Sequence, residues 1–234
     1  VMNTDNTALS GETIDYGPAA FMDDYHPVTV YSSIDRHGRY SYDNQARVIV
    51  WNIAQLAGAL VPLMPDHDAA IADFTEMVNA MPARIESARL RRFAAKIGIA
   101  EPRQDDAALI DDFLALMAGA GADFTNTFRA LARDAAGAHF PDRAAFDAWH
   151  ARWRERLADE TDTEARMLAA NPALIPRNHR VEQMIEAAVA GDMAPFHRLL
   201  SALTTPFADP APENRDLAAP PQPHEAVQAT FCGT

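Results

Sequence analysis

The chain has 234 residues, of which 48% are hydrophobic, so it is long and apolar enough for a folded core and is not a disordered protein. Its 33 acidic residues outnumber 20 basic ones, and a net charge of −13 argues against non-specific binding to nucleic acid or anionic membranes. A single cysteine, Cys232, excludes an intrachain disulfide framework and a cysteine-rich zinc site.

Neither a membrane span nor a secretory signal is predicted from these residues. The longest apolar stretch, 48–64, is interrupted by Asn52 and Gln55, so it falls short of an unbroken run of about 18 apolar residues. No basic region followed by an apolar core opens the chain, which favours a cytoplasmic location. A targeting signal upstream of Val1 would lie outside this sequence.

Residues 1–45 differ in character from the rest of the chain. Glycine, proline and polar residues dominate them, and they predict loops with short strands at Thr13-Ile14 and Val28–Tyr31. From Asn44 the spacing of apolar residues becomes helical. We therefore divide the chain into a loop segment (1–45), a helical part (46–205) and a tail (206–234).

The helical part predicts a mainly α fold. Asp66 is a candidate N-cap for a second helix with Ile71, Phe74, Val78 and Met81 inward, and Pro82 is expected to end or kink that helix. The further helices are predicted at 83–97, 105–118, 122–135, 142–158, 178–190 and 193–203. Six prolines between 206 and 223 predict an extended tail.

Two carboxylates and a carboxamide near the N-terminus form a candidate site. Asp5, Asn6 and Asp15 offer the hard oxygen ligands that Mg²⁺ prefers, and one carboxylate could accept the proton of an attacking hydroxyl. The same residue types also form turns by bonding their own backbone. Residue types alone leave both interpretations open.

Other polar and aromatic clusters have structural interpretations. The basic helix 84–96 includes Glu86 three residues before Arg89, which favours a solvated helix with ion pairs over an anion site. Phe146, Trp149 and Trp153 at helical spacing predict core, and His150 has no second ligand at metal spacing. Asn178 is a candidate helix cap.

Several stretches taken together identify a family. They are Val1-Met2-Asn3-Thr4-Asp5-Asn6, Thr13-Ile14-Asp15-Tyr16-Gly17-Pro18, Phe21, Asp23-Asp24-Tyr25, Gly38-Arg39-Tyr40-Ser41-Tyr42-Asp43-Asn44-Gln45, Trp51-Asn52, Asn171-Pro172, Arg177-Asn178-His179 and Gly191-Asp192. This set closely resembles the selenoprotein O family of protein adenylyltransferases. The resemblance is strong at both ends of the chain and loose over about 65–165.

The resemblance implies the C-terminal lobe of a protein-kinase-like (pseudokinase) fold that transfers AMP from ATP to Ser, Thr or Tyr hydroxyls of proteins. It gives Asp5 the role of proton acceptor, Asn6 and Asp15 the role of Mg²⁺ ligands (with Mn²⁺ as an alternative metal), and Asp15 a further role in ATP binding. It also implies an N-terminal lobe, upstream of Val1, that carries the remaining phosphate-binding groups, and a bacterial cytoplasmic protein. On this basis the chain alone is expected to be inactive.

Cys232 matches the position where the family carries a selenocysteine or cysteine. The resemblance implies that bacterial relatives pair it with a cysteine after the Asp-Tyr-Gly motif, and that Tyr31 occupies this partner position here. A redox role for Cys232 and an incidental terminal cysteine both remain open.

Two other functions remain open at this point. A kinase would use the same metal ligands and transfer the γ-phosphate instead. A non-catalytic helical interaction module would keep the polar loop without its chemistry.

Overall fold

The computed structural model describes residues 1–12 and 20–230 of the chain. The chain divides into two compact units: unit 1 comprises 1–19, 27–89 and 229–234, and unit 2 comprises 20–26 and 90–228. The described part is mainly helical and contains no strand longer than an isolated bridge, so the mainly α prediction is confirmed.

Unit 1 begins with a 3₁₀ turn, Thr4–Asn6, and continues into helix α1, Gln45–Leu60, which runs into a second 3₁₀ turn, Val61–Leu63. The predicted helix from Asn44 is confirmed, with Val48 and Asn52 buried. Asp66 caps the next helix as predicted, because its Oδ1 accepts the backbone N–H of Ala69 at 3.0 Å.

Helix α2, His67–Lys96, corrects the prediction of two separate helices, because Pro82 does not end it. The proline at 82 lies inside it, and the two predicted helices are one continuous helix. Proline removes one i→i−4 hydrogen bond, but the neighbouring turns continue the ladder. Ile71, expected inward, is 52% exposed. The helix ends before Gly98, whose φ of +89° suits glycine.

Unit 2 contains helices α3 to α8. They are Asp106–Ala120, Phe124–Leu131, Arg143–Arg156, Thr163–Ala170, Asn178–Val189 and Ala194–Leu203. Five of them match predicted helices, α4 being shorter than expected, whereas α6 was not predicted.

Aromatic side chains form the core of unit 2, as their spacing predicts. Trp149 stacks on Phe113 with ring centroids 4.1 Å apart and on Trp153 at 5.7 Å. Each indole N–H donates to a buried backbone carbonyl, Trp149 to Leu109 at 2.9 Å and Trp153 to Ile97 at 2.8 Å. The two tryptophans therefore carry no unsatisfied donor into the core.

The expected strand at Val28–Tyr31 is wrong. These residues form turns and irregular backbone, since Thr29 accepts a bond from Tyr42 N–H (2.9 Å) within a local loop and forms no ladder. The other expected strand, Thr13-Ile14, lies outside the described residues. In the tail, Pro212–Ala218 forms a 3₁₀ helix that buries Leu217 against Leu174 and Leu199.

One described stretch, Gln45–Leu63, is long and apolar enough to cross a membrane by length and composition, with a mean hydropathy of 1.4. Only 11% of its most apolar window is buried within the chain. Core helices of soluble proteins meet the same criteria, so the stretch by itself assigns no membrane.

Candidate functional site

The predicted catalytic residues Asp5 and Asn6 lie in a short 3₁₀ turn that we call the Asp5 loop (residues 1–7). Asn3 caps it, its Oδ1 accepting the backbone N–H of Thr4 at 3.0 Å. The Nδ2 of Asn6 donates to the carbonyl of Val1 at 3.2 Å, and its Oδ1 accepts no hydrogen bond from a described residue. Asp5 is exposed. One carboxylate and one free carboxamide oxygen thus face solvent side by side.

Asn52 on α1 anchors the Asp5 loop by hydrogen bonds. Its side chain is only 6% exposed, and its Nδ2 donates to the carbonyl of Met2 at 3.0 Å and to the Oγ1 of Thr7 at 3.1 Å. The two contacts lie on either side of Asp5 and Asn6. A buried amide that interrupts an apolar helix therefore fixes both ends of the loop.

Tyr40 and Gln45 add a second set of contacts. The Tyr40 hydroxyl donates to Asn3 Oδ1 at 3.0 Å, and the backbone N–H of Met2 donates to Gln45 Oε1 at 2.9 Å. Gln45 Nε2 in turn donates to the carbonyls of Tyr40 and Ser41. The Gly38–Gln45 stretch thus serves as a scaffold for the loop, a role that the sequence alone did not assign.

A cavity of about 460 Å³ lies beside the Asp5 loop in unit 1, and we call it the N-terminal cavity. Asn3 and Asn6 contribute to its wall. The remaining lining residues are Val1, Ser32, Ile34, Asp35, Arg36, His37, Arg39 and Tyr40. The candidate metal ligand Asn6 therefore lines a space that two arginines, Arg36 and Arg39, also line.

The predicted metal site is described only in part, because Asp15 lies outside the described residues. Within 1–12 and 20–230, no group of three or more His, Cys, Asp or Glu side chains is arranged to hold a metal ion. The Oδ1 of Asn6 fits Mg²⁺, since it is a hard oxygen that accepts no hydrogen bond from the part of the chain that the structure describes.

The C-terminal tail reaches Tyr31. Thr230 Oγ1 donates to the Tyr31 carbonyl at 2.9 Å, and the backbone N–H of Ser33 donates to the Thr230 carbonyl at 2.7 Å. Cys232 itself lies outside the described residues. The segment that precedes it is nevertheless held at the position where the family resemblance expects its partner.

In unit 2, Arg177 and Asn178 bind the segment 20–26, which follows the Asp-Tyr-Gly motif. The Arg177 guanidinium is 1% exposed and pairs with Asp123 and, at 2.6 Å, with Asp23. The Asn178 amide bonds both backbone groups of Phe21, each at 2.9 Å. Burial, with Asp123 and Asp23 nearby, raises the pKa of Asp24.

The structure corrects the expectation for Asn178 and shows where His179 lies. Asn178 is the first residue of α7 rather than its cap, since its side chain bonds Phe21 instead of the helix N-terminus. His179 is 2% exposed, and neither ring nitrogen has a hydrogen-bond partner among the described residues. Burial, followed by the charge of Arg180, lowers its pKa, so His179 is a neutral core residue.

The basic helix 84–96 and His150 make the kinds of contact expected of structural residues. Arg89 pairs with Glu86 at 3.3 Å, as expected for a solvated helix. His150 bonds Asp134 at 2.7 Å and packs against Phe146. Neither forms part of a site among the described residues.

Comparison with known proteins places this chain in a family. The family model described as protein adenylyltransferase SelO matches residues 1–204. Proteins named "Protein nucleotidyltransferase YdiU" match the whole chain, from Ruegeria pomeroyi at 57% identity, Roseobacter denitrificans at 58% and Ruegeria sp. TM1040 at 56%. The match covers 49% of each of these relatives, so the chain spans about half their length. The chain belongs to the SelO/YdiU family of nucleotidyltransferases.

Proposed function

We propose that this chain supplies the proton acceptor and metal-ligand residues of a protein adenylyltransferase with a kinase-like C-terminal lobe. The observation that supports this most is the Asp5 loop, because Asn52, Gln45 and Tyr40 fix it within unit 1 while Asp5 and the Asn6 oxygen stay exposed. Nucleotidyl transfer depends on positioning and charge neutralisation more than on covalent chemistry. A rigid loop with solvent-facing oxygens suits that requirement.

In the proposed reaction, the hydroxyl oxygen of a Ser, Thr or Tyr substrate attacks the α-phosphorus of ATP, and pyrophosphate leaves. Asp5 accepts the proton of that hydroxyl. Asn6 and Asp15 would hold Mg²⁺, which neutralises phosphate charge when bound. Asn52 and Tyr40 keep the loop backbone fixed while the hydroxyl approaches. Holding the carboxylate at a set distance from that hydroxyl is the contribution of the scaffold.

We further propose that the partners are cytoplasmic proteins and that the 234 residues alone transfer no AMP. The chain spans about half the length of its relatives, and the family resemblance expects phosphate-binding groups in an N-terminal lobe. The test is to incubate the purified chain with α-labelled ATP and a mixture of bacterial proteins. Label on protein would contradict the proposal of inactivity.

The decisive experiment uses a full-length family protein that contains this sequence. Transfer of label from α-labelled ATP, and none from γ-labelled ATP, supports adenylyl transfer. Asp5→Asn is expected to lower transfer by about 100-fold or more while ATP still binds, since the proton acceptor is lost. Asn6→Ala and Asp15→Ala should instead raise the Mg²⁺ concentration needed for activity.

The control variant is Asp73→Asn on the exposed face of α2, which removes one carboxylate outside the loop. It should transfer AMP at the normal rate. Label from γ-labelled ATP would favour the kinase alternative, and a folded protein that transfers neither label would favour the interaction module.

A further inference from the structure

The N-terminal cavity carries cations that the proposed chemistry leaves without a role. Arg36 and Arg39 line it and are exposed. Neither arginine has a carboxylate partner among the described residues, although the chain has 13 more acidic than basic residues. The cavity therefore retains positive charge in an acidic protein.

The acidic residue in the cavity wall offsets part of this charge, because two arginines and one aspartate leave one positive charge. Asp35 accepts the backbone N–H groups of Arg39 at 2.9 Å and Tyr40 at 2.8 Å through its two carboxylate oxygens. It shapes the turn that presents the arginines and forms no ion pair with them. Such a turn is a common use of aspartate.

Aromatic rings hold one of the two guanidinium groups in place. The Arg39 guanidinium carbon lies 4.9 Å from the ring centroid of Trp51 and 5.6 Å from that of Tyr40. Stacking of this kind leaves the N–H edge of the group free to bind a carboxylate. Because Arg39 is already ordered, it loses less side-chain entropy when a ligand binds.

The cavity lies beside Asp5, the proposed acceptor of the hydroxyl proton. Asn6 lies in its wall, next to Asp5, and Ile34 presents an apolar surface that is 57% exposed. A mixture of exposed cations, one apolar side chain and an aromatic ring fits a peptide with acidic residues.

We propose that Arg36 and Arg39 select protein substrates in which acidic residues flank the modified hydroxyl, and that these residues bind in the N-terminal cavity. The inference has two halves, and its second half, that the bound segment is the one modified, rests on the proposed function. Its first half, binding of an acidic peptide, requires no catalysis. The two halves are tested separately.

The binding test uses the 234-residue chain and two labelled peptides that share a central Tyr, one flanked by Glu and the other by Gln. Anisotropy should show tighter binding of the Glu peptide, weakening as salt rises. Trp51 emission should change on binding, because the ligand meets the guanidinium that stacks on this ring. Arg36→Gln and Arg39→Gln should each weaken binding by about fivefold.

Arg47→Gln is the matched control, since Arg47 is exposed on α1 and outside the cavity lining. It removes the same charge and should leave binding unchanged. Arg36 makes no side-chain hydrogen bond or ion pair with residues 1–12 or 20–230, so Arg36→Gln remains informative if Arg39→Gln fails to fold. Equal binding of both peptides, or equal weakening by Arg47→Gln, would overturn the proposal.

The catalytic test compares AMP transfer to the same two peptides by the full-length family protein. Arg36→Gln should raise KM for the Glu peptide with kcat and KM for ATP nearly unchanged. If the Glu peptide binds in the cavity but no peptide is adenylylated, the proposed function fails while the binding site stands. If peptides are adenylylated without preference for Glu, the selection proposal fails and the proposed function stands.

Discussion

At the scale of single residues, the site depends on amides more than on charges. Asn3, Asn6, Asn52 and Gln45 place their side-chain groups on backbone atoms within or beside the Asp5 loop. Amides can donate and accept at once, so one side chain can join two segments. They also stay neutral near a carboxylate that must accept a proton.

Asn52→Ala is expected to loosen the Asp5 loop. It removes donors to Met2 and Thr7 and should lower the free energy of unfolding of unit 1 by about 1–2 kcal/mol. Hydrogen exchange at the amides of residues 2–7 should become faster in the variant. Gln55→Ala, at an exposed position of the same helix, is the control and should leave exchange unchanged. Equal protection in Asn52→Ala would show that Asn52 does not hold the loop.

At the scale of helices, the low helix propensity of proline does not decide the structure at position 82. Helix α2 contains Pro82 and remains a helix from His67 to Lys96. Proline costs a helix interior about 3 kcal/mol relative to alanine, so other contacts must offset that cost here. Local sequence rules locate the cap at Asp66 correctly and fail further along the same helix, where Pro82 does not end it.

Pro82→Ala should stabilise helix α2. The new backbone N–H can donate to the carbonyl of Val78, and we expect the free energy of unfolding to rise by about 1–3 kcal/mol. Thermal unfolding followed by circular dichroism would measure this. A lower midpoint would mean that packing around position 82 favours proline over alanine.

Lys96 at the end of α2 makes the stability of unit 2 depend on pH. Its ammonium donates to Asn171 Oδ1 at 3.1 Å, and burial lowers the pKa of Lys96 to about 8. Between about pH 8 and the unfolded pKa of 10.5, the unfolded chain binds more protons than the folded one, so stability rises with pH in this window.

Lys96→Met should abolish this dependence while keeping the apolar stem. Urea unfolding at pH 7, 8, 9 and 10 should show the wild-type free energy of unfolding rising relative to the variant, on the order of 1–3 kcal/mol in total. A constant difference across this range would mean that Lys96 keeps its proton in the folded state.

At the scale of the whole molecule, distant parts of the chain meet within each unit. Thr230 lies on Tyr31, 199 residues away, and Arg177 pairs with Asp23 across 154 residues. Unit 1 also presents large apolar side chains to solvent, among them Leu63 (78% exposed) and Met77 (61%). Surfaces of this kind often mark an interface with further protein.

Tyr31→Cys should create a disulfide with Cys232. Cys232 lies two positions after Thr230, a reach of at most about 7 Å, and Thr230 already bonds Tyr31. The oxidised variant should lose two hydrogen atoms in mass, and its digest should contain a peptide pair cross-linked between position 31 and Cys232. Thr75→Cys on α2 is the control and should yield little cross-link to Cys232. Equal yields would mean that the tail does not dock at Tyr31 in solution.

Much of this protein follows from local sequence. Apolar periodicity predicts most of the helices, Asp66 caps α2 with the expected bond, and the stretches around Asp5 and Gly38 identify the family. These features depend on residues within a few positions of one another. Their physical causes, helix geometry and capping, act at the same short range.

Only the tertiary structure showed what holds the site. The contacts of Asn52 with Met2, Tyr40 with Asn3 and Asn178 with Phe21 join residues 50, 37 and 157 positions apart. Hydrogen bonds over such separations leave no periodic pattern, because each depends on how whole segments pack. The sequence by itself thus determined most of the helices and the family, whereas the anchoring of the Asp5 loop and the cationic cavity beside it were decided by the fold.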